Sequence, residues 1–98
     1  MTGDVPRTDK QITEIYNRHV NTVYRVCYLF LKNIPDTEDA VQSTFMKLMN
    51  YNGSFHDSEH EKAWLIVTAS NHCKNILRQW WRKRTDIDSL SEVLAEDD

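Results

Sequence analysis

Apolar side chains along this chain recur at helical spacing in three stretches, and nowhere alternate long enough to draw a strand. The first stripe is Ile12, Tyr16, His19, Val23, Cys27 and Phe30, separated by three or four residues throughout. It predicts a long helix from Asp9, with Asp9 as N-cap, ending by Asn33 because Pro35 disfavours helical geometry at Ile34. A second helix follows, capped by Asp36, with Glu38 and Asp39 in the first turn, where the helix dipole favours acids. Its wheel turns Val41, Thr44, Phe45 and Leu48 inward and leaves Asp39, Gln42, Ser43, Met46 and Asn50 outside. The third stretch, AWLIVTASNHCKNILRQWWRKR over 63–84, gathers Ile66, Ala69, Cys73, Ile76, Leu77 and Trp80 on one side. Trp64, Thr68, Asn71, Asn75, Arg78 and Arg82 fall on the other. The fold class is therefore all-α, a small three- to four-helix bundle, with a short helical turn admitted in the connecting loop.

Outside the helices the chain reads as lead-in, loop and tail. Residues 1–8 show no periodicity and predict a flexible lead-in; 9–84 form the helical domain. The loop over 52–61, NGSFHDSEHE, turns at Asn52-Gly53, and Phe55 is its one large apolar residue, either a plug for the core or part of a pocket. The third helix is expected to end by about Arg84. Beyond it, 85–98 reads as an acidic linker with one weak amphipathic turn at Leu90, Val93 and Leu94. His19 lies inside an apolar stripe, where a packed, hydrogen-bonded ring is the expectation.

Charge changes the picture more than composition does. The net charge of the 98 residues is −3, which alone would argue against a polyanion partner. Yet 85–98 carry Asp86, Asp88, Glu92, Glu96, Asp97 and Asp98 with no Lys or Arg. The stretch 62–84 carries Lys62, Lys74, Arg78, Arg82, Lys83 and Arg84 with no Asp or Glu. That local distribution points to nucleic acid. An amide, aromatic and guanidinium ridge backed by an apolar stripe is what a nucleic-acid-reading helix needs: a rigid back, and a front that stacks, hydrogen-bonds and meets phosphate. No apolar run approaches the length of a membrane span and no signal-peptide pattern opens the chain, so the expectation is a soluble, cytoplasmic protein without membrane insertion. Cys27 and Cys73 are too few and too far apart in sequence for a disulfide scaffold, and read as buried reduced thiols.

DTEDAVQSTFMKLM resembles a signature of region two, the promoter-melting domain, of bacterial RNA polymerase sigma factors of the extracytoplasmic-function (ECF) group: an acidic residue, then Asp-Ala-Val-Gln-x-x-Phe. The 63–84 block resembles the same family's Trp-Leu-x-x-x-Ala-x-Asn followed by Leu-Arg and a basic tail, and ITEIYNRHVNTVYRV is similar to its first helix. The resemblance implies that Asp39, Gln42, Ser43 and Met46 bind the coiled-coil clamp helices of the polymerase β′ subunit. It implies that the 52–61 loop forms a pocket for a base flipped out of the non-template strand of the minus-ten element. Base recognition would then involve Phe55, Trp64, Asn71 and Asn75, and phosphate binding Lys74, Arg78, Arg82, Lys83 and Arg84. It further brings in an anti-sigma factor as a candidate partner and makes 85–98 the start of a linker toward a second DNA-binding domain of a longer protein. No enzymatic activity, cofactor or metal is implied.

The sequence departs from that pattern at Asn75, where the family most often has Asp, and at Thr68, where it usually has Ile. The tandem Trp80-Trp81 stands outside it: Trp80 falls on the core side, whereas Trp81 lies on the flank, open to packing, a partner or DNA stacking. Two other readings compete. One is a helical protein–protein adaptor whose basic helix binds an acidic partner. The other is a metal site drawn from His56, His60, His72 and Cys73, against which stand the loop position of His56, the core position of Cys73 and the lack of any paired-ligand motif. Two glycines cannot build a phosphate-binding loop, and no nucleophile motif occurs.

Overall fold

A computed structural model describes residues 7–95, with side chains through residue 84. Three helices make up the described fold: α1 (Asp9–Leu31), α2 (Ile34–Met49) and α3 (Ser58–Ala95). The expected all-α bundle is what forms, each helix packing against the other two.

Helix ends depart from expectation by small, explicable steps. Thr8, not Asp9, caps α1: its hydroxyl accepts from the Gln11 N–H while the Gln11 side chain accepts from the Thr8 N–H. This reciprocal box satisfies two amide donors at once, which Asp9 one residue later could not do. At the other end Lys32 adopts the left-handed conformation (φ 62°, ψ 17°) and returns its N–H to the Tyr28 carbonyl at 2.9 Å. Asn33 rather than Asp36 then caps α2, accepting from the Asp36 N–H at 3.0 Å. Pro35 falls within the first turn of α2, where an N–H has no helical partner to lose. Pro35 thus sits just inside a helix start instead of marking the approach to one.

The core takes Ile15, Val23, Cys27 and Leu31 from α1, Ala40, Val41, Phe45 and Leu48 from α2, and Leu65, Ala69 and Cys73 from α3. The inward face of α2 is as expected: Val41, Thr44, Phe45 and Leu48 are all buried. On α1 the stripe is displaced by one residue at each end. Ile15 and Leu31 are buried, Ile12 and Phe30 are flanking, and Tyr16 stays 43% exposed while its ring meets Phe45 edge-on at 4.9 Å. The buried α1 positions 15, 19, 23, 27 and 31 step by four throughout, a single ridge between the partner helices. On α3 the same spacing selects Glu61, Leu65, Ala69 and Cys73. Ile66, Ile76 and Leu77 are only half-buried and Trp80 is exposed, which corrects the expected stripe.

Helix α3 begins five residues before Ala63, so Ser58, Glu59, His60 and Glu61 are helical and the loop is confined to 50–57. It also continues past Arg84 to Ala95; no Gly or Pro interrupts that run. The side chains of Leu90, Val93 and Leu94 lie outside the described residues.

Candidate nucleic-acid interface

Glu61 fixes the start of α3. Its carboxylate is buried and accepts from the His19 ring at 2.8 Å and from Arg18 Nε at 3.1 Å, with Arg18 Nη2 at 3.0 Å. His19 is therefore the packed, hydrogen-bonded ring its stripe predicts. Together the three side chains tie α1 to the first turn of α3. Asp57 caps that turn, its carboxylate accepting from the His60 N–H at 2.9 Å. His60 Nδ1 in turn accepts the His56 N–H at 2.9 Å, so the neutral ring carries its proton on Nε2.

Above this base the loop closes on an aromatic cluster. Tyr51 stacks against Trp64 (4.7 Å between centroids) and Phe55 (5.7 Å), and His60 meets Phe55 edge-on at 5.3 Å. Gly53 leaves room for the Tyr51 ring to fold back over it: a Cβ there would run into the Tyr51 hydroxyl and displace the ring. Phe55 and Trp64 are half-buried and pack against the core. Both functions left open for Phe55 are thus combined, a plug underneath and a wall of the loop's own cluster. Residue 7 completes the cluster from the lead-in: the Arg7 guanidinium donates to the Tyr51 and Gly53 carbonyls and lies 4.8 Å from the Phe55 ring centroid.

From Trp64 the polar ridge runs down α3 through Thr68, Asn71, Asn75, Arg78 and Arg82, about 27 Å at 1.5 Å per residue. Asn71, Lys74, Asn75, Arg78, Arg82, Lys83 and Arg84 are exposed. Arg78 Nη1 donates to Asn75 Oδ1 at 2.7 Å, so that amide oxygen is engaged within the helix. Trp81, 66% exposed, joins Lys74, Leu77, Arg78 and Arg82 in lining a shallow basin. With no acidic side chain between 62 and 84, this half of α3 presents unopposed positive charge along its own length.

The second surface belongs to α2. Asp39, Gln42, Met46 and Asn50 are exposed, as the wheel predicts, whereas Ser43 is half-buried. Beside them a groove opens between α1 and α2, walled by Tyr16, Val20, Tyr24, Phe45, Met46 and Met49 with Glu38 and Gln42 at the rim. Lys47, on α2, lies 3.5 Å from His72 Nδ1 on α3. Burial, helped by that ammonium, holds His72 below the ordinary histidine range.

Although 46 residues apart in sequence, the cysteines are neighbours in the core, near enough for each to bear on the other's ionisation. Both are free and buried, and burial together with the neighbouring Cys73 pushes Cys27 up to about 12. His56, His60, His72 and Cys73 do not converge, and among the described residues no three His, Cys, Asp or Glu side chains gather as a metal site would require.

The family description "Sigma-70 region 2" matches residues 15–84. The chain belongs to the sigma-70 region 2 family. A curated relative, the ECF RNA polymerase sigma factor SigX of Bacillus subtilis (strain 168), is 25% identical over 73 residues, which is 74% of this chain and 36% of that protein. The chain thus spans about a third of the relative's length. No solved structure matches. The matched residues of this sigma region 2 domain take in all of α2, the loop, most of α1 and α3 through the basic run, and the resemblance to ECF sigma factors read from the sequence is borne out. Among the described residues no helix is long and apolar enough to cross a membrane.

Arg7, Tyr51 and Glu61 were not singled out from the sequence, and His60 only in the competing metal reading. Tyr51 and His60 flank the Asn-Gly turn and could have been found there as aromatics bracketing the loop. Arg7 and Glu61 carry no local signal.

Proposed function

We propose that this sigma region 2 domain binds the polymerase β′ clamp helices through the outer face of α2 and captures flipped bases of the minus-ten non-template strand at the head of α3. Asp39, Gln42, Ser43 and Met46 form the polymerase face. The base-receiving part is the 50–57 loop with Phe55, Trp64 and Asn71, and Asn75 one turn further along reads through whatever Arg78 leaves available. Lys74, Arg78, Arg82, Lys83 and Arg84 hold phosphates. One observation carries the reading: a half-buried aromatic cluster lies at the N-terminal end of the same helix whose exposed ridge continues into an acid-free basic run.

Melting by such a domain needs no nucleotide hydrolysis. Extruding a base costs a few kcal/mol, and stacking it on an aromatic side chain returns about 1–3 kcal/mol. Captured bases therefore offset strand opening, while phosphate contacts set register without carrying sequence. The domain acts as a binding and positioning factor, with no catalysis of its own. An anti-sigma factor that covers either face would compete directly with polymerase or promoter.

The test pairs two measurements on the 98-residue chain. A β′ clamp-helix fragment should retain it, and Asp39→Ala with Gln42→Ala should release it without loss of helicity. Single-stranded minus-ten oligonucleotides of varied sequence should bind with unequal affinity. Asn71→Ala should reduce that discrimination by about 1–3 kcal/mol, the scale of one good base contact. Retention that ignores the α2 substitutions, together with affinity blind to sequence, would instead describe an adaptor with an acidic partner.

A further inference from the structure

The lead-in reads as loose in sequence, yet its residue 7 makes the longest-range polar contacts of the described fold. Arg7 Nη1 donates to the Tyr51 carbonyl at 2.5 Å and Nη2 to the Gly53 carbonyl at 2.6 Å, spanning 44 and 46 residues of chain. Its guanidinium carbon lies 4.8 Å from the Phe55 ring centroid and 5.7 Å from that of Tyr51. Charge-assisted bonds of this kind are about twice as strong as neutral ones. They also engage two carbonyls that follow the C-terminal end of α2, where no helical donor reaches.

We propose that Arg7 is a positioning residue for the base-receiving loop: a guanidinium pin that fastens residue 7 to residues 51–55 and holds the Tyr51–Phe55–Trp64 cluster in its receptive shape. This rests on the reading of the loop given above. The chemistry is specific to arginine. One planar group supplies both donors of the fork and the flat cation set against two aromatic rings; a lysine ammonium is a point charge that cannot do both. Because the guanidinium is engaged with carbonyls and rings, its effect on DNA comes through loop geometry and not through a phosphate contact. A preorganised loop spares the bound state the ordering of the loop residues, so the pin sharpens discrimination among bases.

Arg7→Ala, Arg7→Lys and, as a control for the loss of one exposed cation nearby, Lys10→Ala are compared in the 98-residue chain. Two loop amides report the pin without any DNA: Tyr51 N–H, bonded to the Leu48 carbonyl at 3.1 Å, and His56 N–H, bonded to His60 Nδ1. In Arg7→Ala and Arg7→Lys, hydrogen exchange at both should rise about tenfold, equivalent to about 1.4 kcal/mol, while Lys10→Ala leaves them unchanged. In oligonucleotide titrations, Arg7→Ala should lose several-fold in discrimination among bases at an unaltered salt dependence. Unchanged exchange in Arg7→Ala overturns the pin. So does a salt slope lowered by about 0.7, the signature of one lost single-strand phosphate contact, or full restoration by Arg7→Lys. If the unsubstituted chain shows no preference among bases, the loop's function is misassigned, and the exchange measurement alone decides whether Arg7 pins it.

Discussion

Removing the Glu61 carboxylate should cost this domain a large share of its stability, and the structure says which partner is responsible. Glu61→Ala strips the buried His19 ring of its 2.8 Å partner and releases Arg18. A buried polar group left unsatisfied costs about 1–3 kcal/mol. Arg18 is half exposed, so water replaces its partner, and that loss is discounted to about 0–1 kcal/mol. The expected destabilisation is therefore about 1–4 kcal/mol, most of it through His19. A helical domain of this length has about 4–12 kcal/mol in total at about 0.05–0.15 kcal/mol per residue. The midpoint of thermal unfolding should fall by about 4–30 °C, at roughly 4–8 °C per kcal/mol. Urea unfolding followed by far-ultraviolet circular dichroism measures the free energy. A double-mutant cycle against Arg18→Ala and another against His19→Ala apportion it. Glu61→Gln, which keeps an acceptor for His19, should lose less than Glu61→Ala. A loss below about 0.5 kcal/mol, the level of ordinary surface changes, would refute the reasoning. So would a coupling to Arg18 larger than the coupling to His19.

Other consequences are sharper in sign than in size. Arg82→Ala should flatten the salt dependence of DNA binding by about 0.7–0.9 per lost phosphate contact. Arg78→Ala should do the same and also free the Asn75 amide; a slope unchanged in both would remove them from the phosphate face. His72 is held below 6.5 in the fold, so the unfolded chain binds more protons as pH falls from 6.5 toward that lowered value. Its contribution is complete above 6.5 and is lost through that window. His72→Gln should accordingly make urea stability less pH-dependent there, and an unaltered profile would contradict the assignment. Cys27, pushed up to about 12, is almost wholly thiol at pH 8. Alkylation by iodoacetamide should be slow in the native chain and fast in urea; equal rates would mean that the cysteine pair is open to solvent.

The α2 surface was legible because its apolar and polar residues segregate cleanly: Val41, Thr44, Phe45 and Leu48 against Asp39, Gln42 and Met46. On α1 the wheel placed Tyr16 where Ile15 belongs, since spacings of three and four leave adjacent positions nearly equivalent until partner helices select one ridge. Trp80 fell on the predicted core side of α3 because it is large and apolar, yet the bundle no longer covers that turn. The loop's chemistry was hidden for a different reason. Glu61 reads as a surface acid until His19 and Arg18 arrive from 42 and 43 residues away, and Arg7 reads as a terminal cation until the loop folds onto it. Contacts of that range leave no periodic trace in a single sequence. The two cysteines show the same blindness: their separation along the chain said nothing of their meeting between α1 and α3.

The junction between α1 and α2 consists of Lys32 and Asn33 alone, one in the left-handed conformation and the other extended. Such a link has almost no slack, so the first two helices form a hairpin from local contacts, the kind that assembles early and opens rarely. Helix α3 is joined to that hairpin through the much longer 50–57 loop. What stands in for a short link there is side-chain chemistry: the Glu61–His19–Arg18 cluster fastens the first turn of α3 directly to α1, so the third helix is held by a buried charge and not by the brevity of its connection.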